Sequence, residues 1–284
     1  MSTALRFASK TRNQHARHLR VLVHGYLSAA DMRDRTRLLE KVPEPGADED
    51  VLFLFWDSGS MQEVLVDTLK GAALGFRRGK LGMALTAAHA MKSGVDHFNR
   101  KKRHTRSIGE QFFAELSRFA GAYPQLEQIS LYGHSLGARI LIEALLGAQL
   151  PADIRISNLV LMGGARELRE AELQQILPLI RERIYNFYSR SDRVLQARPS
   201  LEKWIGRHPL PEHLAPDKLV NTQLDIGHSD YWELLEGIFA WVNDPHAEAD
   251  FLLQKKPAEK EENQVLKKLP ERIRQLARRK PVDN

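Results

Sequence analysis

The chain has 284 residues, 43% of them hydrophobic, with 42 Lys and Arg against 36 Asp and Glu and no cysteine. That length suits one large domain with additions better than two full domains, and the missing thiols exclude disulfides, thiolate catalysis and thiolate metal sites while favouring a reducing compartment. No stretch of about 18 consecutive apolar residues and no secretory core occurs, so a soluble cytoplasmic protein is expected, with peripheral attachment to a membrane as the alternative.

Arg6, Lys10, Arg12, Arg17 and Arg20 precede the first acidic residue, a bias shared with organelle transit peptides. A core strand beginning near Leu19 leaves little that a protease would remove. From there, short apolar runs ending in turn residues alternate with helix-period segments, which marks buried parallel strands joined by crossover helices. Val21 to Val23 runs into His24 and Gly25, and a helix follows over 29–41. Val51 to Trp56 runs into Asp57, Ser58 and Gly59. Residues 59–106 then separate two core strands by more than one crossover helix needs, so they form an insertion. Leu65, Leu69, Ala72 and Phe76 make one helical stripe in it, and Leu81, Leu85, Ala88, Val95 and Phe98 another.

A helix over 108–122 is predicted next, with Ser107 and Glu110 as a capping box. Then come a strand over 129–132 ending at Gly133, a helix over 136–146, a strand over 158–162, a helix over 168–182, strands over 184–188 and 219–224, and a closing helix over 231–242. After Pro245 the chain is charged, with Val265, Leu269, Ile273 and Leu276 as a thin stripe. The expected fold is α/β: a three-layer α/β/α sheet, mostly parallel, over 1–245, with a helical basic cap insertion at 59–106 and a charged, partly helical tail at 246–284.

Gly133-His134-Ser135-Leu136-Gly137 is a GxSxG sequence directly after a predicted strand and directly before a predicted helix. A serine hydroxyl is a weak nucleophile and must stand on a tight turn within reach of a base. Gly133 and Gly137 permit the strained backbone and close packing that such a turn needs. The helix opening at Leu136 directs its free N–H groups and positive dipole end at charge developing beside Ser135. An ordinary strand-to-helix turn is the plain alternative.

This context resembles the nucleophile elbow of the α/β-hydrolase superfamily, and GHSLGAR resembles that of its lipases and esterases. The resemblance implies a triad in the chain order Ser, acid, His, with the acid after a late strand and the base after the final one. Asp192, in Ser189-Arg190-Ser191-Asp192, and His228 stand in those places. The rival acids Asp225 and Asp230 lie too near His228 in the chain to fit the pattern, with Asp225 kept as the alternative. His24-Gly25-Tyr26 resembles the segment that shapes the oxyanion hole, which makes the backbone N–H groups of Tyr26 and Leu136 the donors. Arg139 departs from the small residue that lipases carry there. More narrowly, residues 133–139, the loop 188–195 and the small-residue insertion are similar to the hydrolase family typified by animal transmembrane and coiled-coil domain proteins.

The implied activity is cleavage of a carboxylic ester or thioester, on a small-molecule or lipid substrate, through an acyl-enzyme on Ser135. The alternative is a hydrolase-like protein whose main role is binding a membrane or partner through its basic insertion and tail. Ten Lys and Arg stand between Lys70 and Arg106 against the single acid Asp96. Arg100, Lys101, Lys102 and Arg103 are the expected contact with an anionic membrane, each contributing about 1 kcal/mol near such a surface. Nucleic acid is disfavoured, because no reading motif or stacking platform accompanies that cluster. His134 occupies the variable position of the elbow, and His89, His97, His104, His208, His213 and His246 show no metal-ligand spacing. Neither a Walker sequence nor a dinucleotide glycine pattern occurs, so no metal and no cofactor is expected.

Overall fold

The computed structural model describes residues 5–26, 32–59, 79–147, 150–151, 154–196 and 202–244, with 32–34 and 79–95 as backbone alone. The expected helix start at 29–31, the stripe from Leu65 to Phe76 and the tail 246–284 lie outside the described residues, as do the side chains of the second stripe up to Val95. Seven strands form one sheet: β1 (Arg6–Ser9), β2 (His18–Val23), β3 (Glu49–Phe55), β4 (Gln128–His134), β5 (Ile156–Met162), β6 (Ile180–Tyr188) and β7 (Leu219–Gln223). Their order is β1-β3-β2-β4-β5-β6-β7. Among the described residues only the β1 and β3 pair is antiparallel. All six strands read from the sequence are present. The edge strand β1 is an addition to them, because four half-exposed residues are too short to show an alternation.

The helices are α1 (Met32–Lys41), α2 (Gly79–Ala120), α3 (Leu136–Gly147), α4 (Glu170–Ile176), α5 (Arg193–Gln196) and α6 (Leu235–Asn243). Successive strand residues point to opposite faces, and each face has its own cover. Leu19, Val21, Val23, Leu52 and Leu54 pack in one cluster with Phe98, Ile108, Phe112 and Leu116 of α2 and with the apolar residues of α3. Leu22, Val51, Phe53 and Phe55 pack in the other with Leu38 of α1 and with Leu235, Ile238, Phe239 and Val242 of α6. Each large side chain taken fully out of water contributes about 1.5–3 kcal/mol, so the two layers hold the strand ends that carry the site. The result is the expected three-layer α/β/α fold.

Two expectations are corrected. The predicted helix over 108–122 is the C-terminal part of α2, a continuous helix roughly 60 Å long at about 1.5 Å per residue. Ser107 therefore lies in its interior and caps nothing. The run Arg100 to Arg106 interrupts nothing either, because Lys and Arg are good helix formers and the buried positions His97, Phe98, Thr105 and Ile108 continue one face through it. The helix predicted over 168–182 is shorter: α4 ends at Ile176, a 3-10 turn holds Leu177 to Leu179, and β6 begins at Ile180. Pro178 cannot continue an α-helix, and Ile180 pairs with Ile156 of β5.

The chain runs from β2 outward to β3, then returns to the other side of β2 as β4. The direction of strand order reverses between β2 and β4, and Val23 is registered opposite Gly133 there. In open parallel sheets the crevice beyond the strand ends at such a reversal is where ligands bind. His24-Gly25-Tyr26 and Ser135 both follow those ends.

Candidate active site

Ser135 joins β4 to α3 with φ +56°, and among the described residues only it and Arg12 are non-glycine positions with positive φ. A left-handed backbone at a residue with a side chain costs of order 1–3 kcal/mol and persists only where the surroundings impose it. Here they do: the Ser135 N–H donates to the Met162 carbonyl at 3.0 Å, and the Ser135 carbonyl accepts from Ala165 N–H at 3.1 Å. A Cβ at Gly137 would lie 2.0 Å from the Val23 carbonyl oxygen, one at Gly133 2.6 Å from Ala138 Cα, and one at Gly25 2.7 Å from Ser135 Cβ. The motif glycines are thus required by close approach of β2, the elbow and α3.

His228 follows β7, and its Nε2 lies 2.9 Å from Ser135 Oγ. Its Nδ1 lies 2.6 Å from Asp192 Oδ2. A carboxylate only accepts, so the imidazole proton belongs on Nδ1, and Nε2 is left to accept the serine hydroxyl. Asp192 is fully buried at the start of α5, where its Oδ1 accepts the Leu195 N–H at 2.9 Å. The two other acids near His228 are engaged elsewhere: Asp225 accepts from the Ser191 hydroxyl, and Asp230 from Gly227 N–H at 2.8 Å. Ser135, Asp192 and His228 are thereby brought into one hydrogen-bonded chain, and Asp225 is outside it.

On the β2 side, the fully buried His24 donates from Nδ1 to the Gly25 carbonyl at 2.9 Å and accepts the Trp56 N–H on Nε2. Burial, the largest influence, pushes its pKa down to about 4. It is a neutral imidazole with a fixed tautomer. Because a trans peptide is planar, holding the Gly25 carbonyl also sets the direction of the Tyr26 N–H. Leu136 opens α3, where the first N–H groups have no intrahelical acceptor.

Two histidines with no distinguishing signal in the sequence reach this site. His97 of α2 is buried, and its Nδ1 is hydrogen-bonded to the Tyr26 hydroxyl at 2.6 Å, while Phe98 meets the Tyr26 ring edge-on. His134 donates to the backbone carbonyl of His228 at 2.7 Å. Both contacts span many residues, 71 and 94 respectively, so nothing local in the sequence announces them. The basic cluster is partly consumed by the body: Lys101 pairs with Asp57 at 2.6 Å, and Lys102 with Glu202 at 2.6 Å while lying over Trp204. Arg139 pairs with Glu143 and reaches Thr105 of α2, so the residue that departs from the lipase pattern ties α2 to α3.

Among the described residues no three His, Asp or Glu are grouped so as to hold a metal ion, and no helix is long and apolar enough to cross a membrane. No protein-family model and no curated protein matches the chain. Solved structures similar to it include a lipase-esterase related protein of Clostridium acetobutylicum, with 11% identity, a TM-score of 0.40, and coverage of 84% of this chain and 98% of that one. Est1E of Butyrivibrio proteoclasticus, in its ferulic acid complex, has 14% identity and a TM-score of 0.41, covering 87% and 97%. An esterase of Pyrococcus furiosus has 12% identity and a TM-score of 0.37, covering 89% and 92%. Such likenesses assign no activity to this chain, and none supports the narrower resemblance to transmembrane and coiled-coil domain proteins.

Proposed function

We propose that the protein is a serine hydrolase that cleaves a carboxylic ester or thioester through an acyl-enzyme on Ser135. The observation that carries this reading is the chain from Ser135 Oγ through His228 to the buried Asp192, at 2.9 and 2.6 Å, on an elbow held at positive φ. An ordinary turn serine has no need of an imidazole aligned by a buried carboxylate.

In the proposed reaction Ser135 Oγ attacks the acyl carbon while His228 Nε2 takes the hydroxyl proton. Asp192 stabilises the imidazolium and holds its tautomer. The carbonyl oxygen becomes an oxyanion, which the N–H groups of Tyr26 and Leu136 stabilise. Collapse breaks the bond to the leaving oxygen or sulfur, which receives the proton from His228. Water, deprotonated by the same imidazole, then attacks the acyl-enzyme and regenerates Ser135.

Among the described residues, Lys101 and Lys102, which the alternative of a membrane-binding or partner-binding protein would use, are each paired with a carboxylate of the body. Steady-state hydrolysis of short-chain aryl esters by wild type and Ser135→Ala tests the proposal. Loss of a triad member commonly costs at least about 10⁴-fold in rate. Near-normal turnover by Ser135→Ala would overturn it.

A further inference from the structure

We propose that His134 is a positioning residue for the base: its imidazole N–H fixes the backbone of His228, so the elbow sets the nucleophile and its base together. This rests on reading Ser135 and His228 as nucleophile and base. His134 is the last residue of β4 and is buried, 3% exposed, with Nε2 2.7 Å from the His228 carbonyl oxygen. A carbonyl only accepts, so the proton is on Nε2 and Nδ1 is bare. Nδ1 has no hydrogen-bond partner, and it lies 3.1 Å from where a Cβ on Gly25 would stand. The ring therefore lies between the oxyanion segment and the base loop, in space that a side chain on Gly25 would need.

The neighbours of His228 have ties of their own, Ile226 to Ser189 Oγ at 2.7 Å and Gly227 to Asp230. At the carbonyl of His228 itself the tie is the His134 N–H. The rings of the two histidines are 4.9 Å apart, and those of Tyr231 and Trp232 enclose His134 at 5.7 and 5.6 Å. Packing of that kind would accept a leucine or phenylalanine; the directed N–H is what an apolar residue cannot supply. Burial, reinforced by the adjacent His228, holds the His134 pKa well below its ordinary value. His134 thus stays neutral when His228 takes the serine proton, and it does not compete for that proton.

The test compares full-length wild type, Ser135→Ala, His134→Leu, His134→Gln and His134→Asn. It measures 4-nitrophenyl acetate hydrolysis, the second-order rate of labelling by a fluorophosphonate, and thermal melting. Displacement of reacting groups by about 1 Å costs about 10²-fold, so His134→Leu is expected to lose about 10- to 100-fold in kcat and in labelling rate with KM within about twofold. His134→Gln, which can extend an N–H toward the same carbonyl, is expected to recover most of the loss. His134→Asn, whose amide falls short, is expected to behave like the leucine variant. Wild-type kcat in His134→Leu, or equal losses in the Gln and Asn variants, would overturn the proposal while leaving the nucleophile in place. Equal rates for wild type and Ser135→Ala would instead remove the reading beneath it. If His134→Leu does not fold, the Gln and Asn pair decides the matter.

Discussion

Asp192 divides its carboxylate between two partners, with Oδ2 on His228 Nδ1 at 2.6 Å and Oδ1 on the Leu195 N–H at 2.9 Å. The second contact caps α5 and locks the rotamer that the first requires. Asp192→Asn keeps the shape and one acceptor, but its amide opposes the His228 Nδ1 proton and favours the wrong tautomer. We expect a loss of about 10⁴-fold in kcat with little change in melting temperature. Combined with Ser135→Ala it should add little, because members of one catalytic unit are strongly non-additive. A fully active Asp192→Asn enzyme would return the acid role to Asp225.

The Tyr26 hydroxyl contact with His97 at 2.6 Å links a proposed oxyanion donor to the long helix α2. Tyr26→Phe leaves the backbone N–H in place and removes that link. A fall of about 3- to 10-fold in kcat is expected, smaller than the roughly 10²- to 10³-fold cost of losing a donor outright. His97→Leu should give a similar loss, and the double variant no more than either alone. Additive losses would show that the two residues act separately.

Gly25→Ala brings a methyl group to 2.7 Å from Ser135 Cβ, so the oxyanion segment and the elbow must separate. Displacement of the reacting groups is expected to cost at least about tenfold in kcat/KM. Circular dichroism should show the sheet retained, because the Gly25 site lies beyond the end of β2. Unchanged kcat/KM would mean that the close approach of these segments has no part in catalysis.

Acid should destabilise the fold in two stages. The folded pKa of His24 is lowered from 6.5 to about 4, so the native state binds fewer protons than the unfolded chain in that window. Its contribution is complete above about pH 6.5 and is lost as pH falls toward 4, at about 1.4 kcal/mol per pH unit for one proton. His134 acts in the same direction. Glu49, held down to about 2 first by its hydrogen bond with His18 and then by Arg20, extends the loss from about pH 4.5 to 2. Asp50 adds to it: burial alone would raise its pKa, but donors from Ser9, Thr11 and Tyr123 outweigh that. Urea unfolding between pH 4 and 7 should show a shallower slope in His24→Asn than in wild type. Identical slopes would mean that His24 is not buried neutral.

Most of the sheet was legible because buried parallel strands are short apolar runs between turns, and six of them stood out. The elbow was legible for a local reason, since Gly133, Ser135 and Gly137 act within one turn. Asp192 and His228 were found by chain order through the family resemblance, since nothing local distinguishes a loop acid such as Asp192 from Asp225. The run Arg100 to Arg106 reads as a boundary in the sequence, although the exposed Arg100, Arg103 and Arg106 are compatible with an unbroken helix and Lys101 and Lys102 pair with carboxylates of the body. His97 and His134 carry no local signal because their partners, Tyr26 and His228, are brought to them only by tertiary packing. The antiparallel edge strand β1 depends on pairing with β3 and has no pattern of its own.

Activation of Ser135 by His228 as a nucleophile is read out by covalent labelling. Wild type, His228→Ala and Ser135→Ala should be treated with a fluorophosphonate and followed by intact mass, with peptide mapping of the adduct. One adduct on Ser135 is expected in wild type, with labelling slower by at least about 10³-fold in His228→Ala and none in Ser135→Ala. An adduct on another residue, or equal labelling of wild type and Ser135→Ala, would contradict it.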